Sequence, residues 1–430
     1  MPERAAAPLV RGLRRWDLLA LMINSTIGAG IFGLPSRVHA LIGPWSLLAY
    51  VACAALVAIV ILNFAEVASR FERTGGPYLY ARTAFGSGVG FVMGWLLWLV
   101  RLTSFAALCN LLVSYLGVLS PNLGTPAWRT TVIVAVTGAF AVINVVGVRT
   151  TARIGNAFTI AKLAPLALLI VAGLPSLSFG RLAPGAPPEA DAFAKAMLLL
   201  VFAFTGFELV IIPAGEATDP RRNLPWALLS GLAVVAGVYL LVQAVCAATM
   251  ANLAGSERPL AHAASQVLGS KGGVLLSVGA VTSITGTLGA TMFAAARLPF
   301  AMAEWGELPR ALAATHARFR TPWISVLMTA GCALALALAT TFVGALTLST
   351  VIRLITYVST CVALLVLRRR PDAPEAAFRA PMAEALAVLA LLTCVWLISS
   401  VSGREARAVA IATLIGFGLY LIRPRRALVP

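Results

Sequence analysis

The residues of this chain that could do chemistry fall in two glycine-led segments and at two isolated charges. The first segment, INSTIGAGIFGLPS, sets Gly28, Gly30 and Gly33 close together ahead of Pro35, and the second, VFAFTGFELVIIPAGE, sets Gly206 ahead of Pro213. In each, the proline follows the leading glycine by seven residues. Glycine and proline so placed interrupt a helix. An interruption frees backbone groups: N–H groups that open a new helix attract an anion, and carbonyls left behind accept from a cation. The N–H groups around Gly28, Ala29 and Gly30 would take a carboxylate. The carbonyls before that break, and those near Phe202, Ala203 and Thr205, would take an ammonium. The chemistry this suggests is capture of a small zwitterion.

The two charges are Lys162, inside NAFTIAKLAPLALL, and Glu208, two residues past Gly206. Ionisable groups at such depth are functional candidates by default. Lys162 has two readings, a side chain that snorkels to the interface or a buried ammonium able to carry a proton. Glu208 also has two, an acid tying its segment to a neighbour or a proton-linked gate and counter-ion. Arg101 and Arg353 sit in apolar runs without an acidic neighbour in sequence and are expected to pair with carbonyls or with an acid from another span, a role in contacting the substrate being the alternative. Glu66, Glu216 and Asp219 are expected in solvated or loop-pinning roles. Phe202, Phe204 and Phe207 are aromatics that could close over a ligand, and Ser104, Phe105, Ser283 and Thr287 are weaker candidates for side-chain selectivity.

The elements that position these groups follow from composition. Of 430 residues, 60% are hydrophobic and only 11% charged, with a mean hydropathy of +0.91; soluble domains run near 25% charged. The chain reads as an all-α polytopic membrane protein. Apolar windows at 17–38, 45–69, 87–117, 130–148, 154–175, 193–215, 225–250, 273–302, 323–342, 345–367, 382–400 and 407–422 give twelve spans, each near the ~20 residues a crossing needs. The glycine-led segments fall in spans 1 and 6, so the second copy enters the membrane from the opposite face, as in an inverted repeat. Unwound backbone at that depth survives only where it lines a protein or water cavity.

Of the 33 lysines and arginines, 22 fall on the side that carries both termini and 7 on the other. Both termini, residues 1–16 and 423–430, are therefore expected in the cytoplasm. The net charge of +17 is explained by this topology and by contact with anionic lipid, and nucleic acid is not expected as a partner. The N-terminus lacks the pattern of a removable signal peptide. Only three of the basic residues are lysine, a composition that points to a GC-rich bacterial genome and so to an inner membrane. The six cysteines lie in apolar runs and the three histidines are isolated, so neither a metal nor a cofactor is expected. An intramembrane enzyme would need a nucleophile with a base or a metal cluster, and a P-loop for direct ATP drive is missing.

STIGAGIFGLP, FAFTGFE continuing into PAGEATDPRRNLPWAL, the TGGPYLY loop after span 2, and RLPFAMAEWGELP followed by RFRTP after span 8 together resemble the amino acid/polyamine/organocation permease superfamily, from about residue 12 to about residue 367. The resemblance implies a five-plus-five inverted repeat, residues 17–175 and 193–367, with discontinuous helices 1 and 6, followed by spans 11 and 12 at 382–422. It implies carboxylate capture at Thr26, Gly28, Ala29 and Gly30, and amine contacts from carbonyls of Phe202, Ala203 and Thr205. Phe202 or Phe204 resembles the family's gating aromatic. Lys162 resembles a lysine that stands in place of a sodium ion, so the coupling residues are Lys162 and Glu208 and sodium is not required. The function implied is a secondary transporter of amino acids, proton-coupled, with neutral substrates favoured if Glu208 is tied up. If Glu208 faces the pocket ionised, an exchanger of arginine or polyamines is implied instead.

Overall fold

The computed structural model describes residues 9–28, 30–119, 125–177, 179–183, 185–339, 342–399 and 403–422. Its elements are helical throughout. In chain order they are α1 (Arg15–Thr26), α2 (Gly30–Ile42), α3 (Ser46–Ala68), α4 (Pro77–Phe85), α5 (Ser87–Leu119), α6 (Pro126–Val146), α7 (Val148–Gly173) and α8 (Phe179–Leu182). There follow α9 (Ala190–Ala203), α10 (Pro220–Thr249), α11 (Pro259–Leu268), α12 (Ser270–Glu304), α13 (Trp323–Ala339), α14 (Phe342–Arg369), α15 (Ala383–Ser399) and α16 (Gly403–Ile422). Seven helical stretches among the described residues are long and apolar enough to cross a bilayer, and three shorter apolar helices accompany them. Outward faces carry large apolar side chains, among them Ile160, Leu392, Leu414 and Ile422. Exposed apolar surface on this scale suits lipid, not water, and the chain is an integral multi-pass membrane protein.

Glycine and proline set the joints. Gly43, in the left-handed region at φ +55°, and Pro44 turn the chain between α2 and α3. The TGGPYLY segment, expected as a loop, is a turn at Gly75 and Gly76 (φ +138° and +53°) that leads into α4 with Pro77 in its first turn. Proline is favourable there because the first N–H groups of a helix lack an intrahelical partner in any case. A second short helix, α11, also was not anticipated. It too begins at a proline, and both short helices end at a glycine of positive φ, Gly86 and Gly269. Each is followed at once by a very long helix, the 33-residue α5 and the 35-residue α12.

Span 6 departs from expectation in its second half. A second helical segment was anticipated to 215; instead the chain beyond Ala203 runs through two short 3₁₀ turns, Phe207–Leu209 and Ala214–Glu216, before α10. Gly206 at φ +115° ends the helical path. Pro213 lies between the two turns and offers no backbone donor, whereas Pro35, at the same offset in span 1, is carried inside α2 and does not interrupt it.

Candidate functional site

The two interrupted segments lie against each other. α1 ends at Thr26, Ile27 and Gly28 leave the helix, and the Gly28 N–H donates to the Thr26 carbonyl at 2.8 Å. α2 starts again at Gly30 and packs on α9. A Cβ on Gly30 would sit 3.5 Å from the Ala203 Cα, and one on Gly206 would overlap the Ser25 carbonyl oxygen. Between the breaks is a cavity of about 100 Å³. Thr26, Gly28, Gly30, Phe202, Ala203 and Thr205 all line it, with Arg101, Ser104, Thr287, Thr291 and Arg353 completing the polar wall. Ala29 lies outside the described residues.

The freed backbone groups are partly spoken for. Tyr239 donates its hydroxyl to the carbonyls of Thr26 (3.0 Å) and Ala203 (3.1 Å), joining the two breaks. The Phe202 carbonyl accepts from the Thr205 hydroxyl at 2.8 Å and N–H at 3.2 Å. A carbonyl has two lone pairs, so the Ala203 oxygen keeps one for a ligand. The Gly28 N–H, expected to meet a carboxylate, is instead used in its own tight turn. The donors left for an anion are those of the first turn of α2, which have no intrahelical acceptor. Gly28 and Gly30 do not adopt positive φ, so the backbone itself does not require glycine there; their small size matters because they form the cavity wall.

Lys162 is fully buried and does not snorkel. Its ammonium donates to the carbonyls of Asn24 (2.9 Å), Ile27 (2.7 Å) and Ser283 (3.2 Å) and lies 3.4 Å from the Thr287 hydroxyl. One cation thus clamps the unwound end of α1 to α12. Among the described residues no acid pairs with it. Ser283 adds a hydroxyl donor to the Ile27 carbonyl at 2.9 Å.

Glu208 ties the span 6 turn to two other helices. Its Oε1 accepts from Arg101 Nη2 at 2.8 Å and lies 3.7 Å from Arg353 Nη1; its Oε2 accepts from the Gly206 N–H at 2.9 Å and from the Tyr357 hydroxyl at 3.5 Å. Arg353 also donates to the Ser104 hydroxyl at 3.1 Å. The acid from another span expected for both arginines is therefore Glu208 itself.

The aromatics separate. Phe202 lines the cavity, whereas Phe204 is buried and packs edge-on against Tyr239 with centroids 5.1 Å apart. Two residues along a helix rotate a side chain by about 200°, so only one of the pair can face a ligand; the expectation of a gating role for Phe204 is corrected on that ground. Phe207 sits against Phe64 and Tyr357. Of the weaker selectivity candidates, Ser104 and Thr287 reach the cavity; Phe105 lies in a separate apolar cluster with Ile284 and Leu288. Tyr239 and Thr291 went unremarked in the sequence, and their only signal was a hydroxyl within an apolar run.

Beyond the cavity, buried ion pairs hold the ends of the helices. Glu216, expected to be a solvated or loop-pinning acid, is 1% exposed and takes Arg297 in a two-pronged contact at 2.6 and 3.0 Å, with Arg297 also donating to Asn144 at 3.0 Å. The 22 basic residues assigned to the side of the termini include Arg297, which is instead buried within α12 and is not a loop charge. Glu66 is buried with Arg368 (2.8 and 2.7 Å) and Arg70 (3.2 Å), and Glu307 pairs with Arg82 and Tyr78. Asp219 precedes α10 at φ +41°. Removing one partner of a buried pair strands the other charge and costs about 3–5 kcal/mol. Arg297→Met is expected to lower the Tm of the detergent-solubilised protein accordingly, and an unchanged Tm would show that the pair does not hold this end together.

Comparison with known proteins bears on this geometry. A family model described as amino acid permease matches residues 13–420. The chain is 30% identical to the serine/threonine exchanger SteT of Bacillus subtilis, over 93% of this chain and 92% of that one. It is 28% identical to the methylthioribose transporter of the same organism and 26% identical to its branched-chain amino acid permease BcaP, in both cases over 97% of this chain and 94% of the relative.

Proposed function

Because the chain belongs to the amino acid permease family, a family of transporters and not of enzymes, we propose that it is a secondary transporter carrying amino acids by alternating access around the cavity between the two breaks. The observation that carries this reading is the meeting of the breaks. Carbonyls at the end of α9 and N–H groups at the start of α2 border one space, and together they match the ammonium and carboxylate of an α-amino acid.

The recurrence of a long helix, a short one and a very long one in α3–α5 and α10–α12 supports the five-plus-five inverted repeat and the twelve-span layout, with spans 11 and 12 as α15 and α16. The charge asymmetry supports cytoplasmic termini in a bacterial inner membrane. Lys162 occupies, with a fixed ammonium, carbonyls that a sodium ion would otherwise neutralise, which favours a sodium-independent cycle. With Glu208 held by two arginines, Lys162 is the better proton carrier, and Glu208 acts as a positioning residue. The same pairing speaks against the alternative of a cationic substrate exchanger, since the one acid near the cavity among the described residues has both oxygens engaged and an incoming cation would meet two guanidinium groups.

The test is flux into liposomes holding the purified protein, with a panel of labelled amino acids and methylthioribose under an imposed pH gradient. Uptake of at least one non-cationic amino acid is expected, stimulated by an inward proton gradient and unchanged when choline replaces sodium. Uptake of methylthioribose with no amino acid transported would overturn the substrate class, and a strong sodium requirement would overturn the role of Lys162.

A further inference from the structure

We propose that Arg101 and Arg353 form a side-chain subsite for an anionic group, so that the substrates include amino acids with a carboxylate side chain. The proposal rests on the reading of the cavity as an amino acid site and deepens it. Arg101 on α5 and Arg353 on α14 both border the cavity and are only 1% and 9% exposed. Glu208 is their only acidic partner among the described residues. A guanidinium stays protonated inside proteins, so two positive charges face one negative charge that already accepts from three donors, Arg101, the Gly206 N–H and Tyr357. The cluster therefore presents one uncompensated positive charge to the cavity.

The hydrogen-bond inventory agrees with the charge count. A guanidinium offers five N–H donors, and the Nε groups of both arginines are buried without an acceptor among the described residues. Arg353 lies 3.7 Å from the Glu208 carboxylate, beyond hydrogen-bonding distance, and among the described residues it finds an acceptor only in the neutral Ser104 hydroxyl. Buried charges that persist are normally paired and hydrogen-bonded. A carboxylate arriving with the substrate supplies both the missing charge and the missing acceptors, in the planar geometry a guanidinium fits best. A cationic side chain would worsen the imbalance and a neutral one would leave it. Size is consistent with this: about 100 Å³ corresponds to roughly seven water-sized positions at ~15 Å³ each, the scale of a short amino acid.

Competition in the reconstituted wild-type protein tests the proposal. Unlabelled aspartate or glutamate is expected to inhibit uptake of a labelled neutral amino acid at concentrations at least tenfold below those needed for arginine and no higher than those needed for serine. If neither acid competes at hundredfold excess while neutral amino acids do, the anionic subsite is overturned and amino acid transport stands. If no amino acid competes with any other, both readings fall. Arg353→Gln, checked for monodispersity by size exclusion, is expected to shift the aspartate-to-serine inhibition ratio at least tenfold against aspartate, and Arg353→Lys to restore part of the ratio. A ratio equal to wild type in Arg353→Gln shows that the arginine is not the recognising group; should that variant fail to fold, Arg353→Met, also uncharged, is read in its place by the same criterion.

Discussion

Gly206→Ala is expected to abolish uptake, because this one glycine meets two demands that no other residue satisfies. Its φ of +115° lies outside the regions open to L-residues, a strain of about 1–3 kcal/mol before any contact is considered. A Cβ there would also run into the Ser25 carbonyl oxygen, which belongs to the facing break and leaves no flexible side chain to give way. Separating the two segments would carry off the Ala203–Tyr239–Thr26 link and the Gly206 N–H that steadies Glu208. Initial uptake rate in liposomes, normalised to inserted protein, is the measurement. Gly33→Ala is the matched control, because nothing lies within 4 Å of its added Cβ, and it is expected to transport normally. Wild-type uptake by Gly206→Ala would mean that the breaks need not touch.

Lys162→Ala is expected to cost more than tenfold in uptake and to remove the response to a pH gradient. The substitution takes the ammonium away from three buried carbonyls, those of Asn24, Ile27 and Ser283, and leaves them only the hydroxyls of Thr287 and Ser283 as side-chain donors. Two of them belong to the unwound end of α1, so the loss falls on the wall of the site. Lys162→Met, which keeps length but not charge, separates packing from charge and is expected to fail as badly. If either variant retained normal proton-stimulated uptake, the ammonium would be a structural filler and not a coupling group.

The sequence by itself carried the parts of this protein that depend on neighbours along the chain. Mean hydropathy and the spacing of apolar windows determine a polytopic helical membrane protein, because a bilayer accepts only backbone that satisfies its own hydrogen bonds. Gly28, Gly30 and Gly206 marked where the helical path is interrupted, since glycine acts on local backbone geometry, whereas Pro35 lies inside α2 and marks no end. Which groups meet across spans was decided only in the tertiary structure. Arg101 and Glu208 are 107 residues apart, and Arg297 and Glu216 are 81 apart; nothing in either local run shows that their helices turn toward each other. The same holds for Phe202 and Phe204, equal candidates in sequence and separated by the rotation of α9, and for the Gly28 N–H, free on paper and used in its own turn. Helix rotation and packing decide what a side chain faces, and they are set by the whole set of contacting helices, so the charge balance at the cavity became visible only when α5, α14 and the span 6 turn were in place.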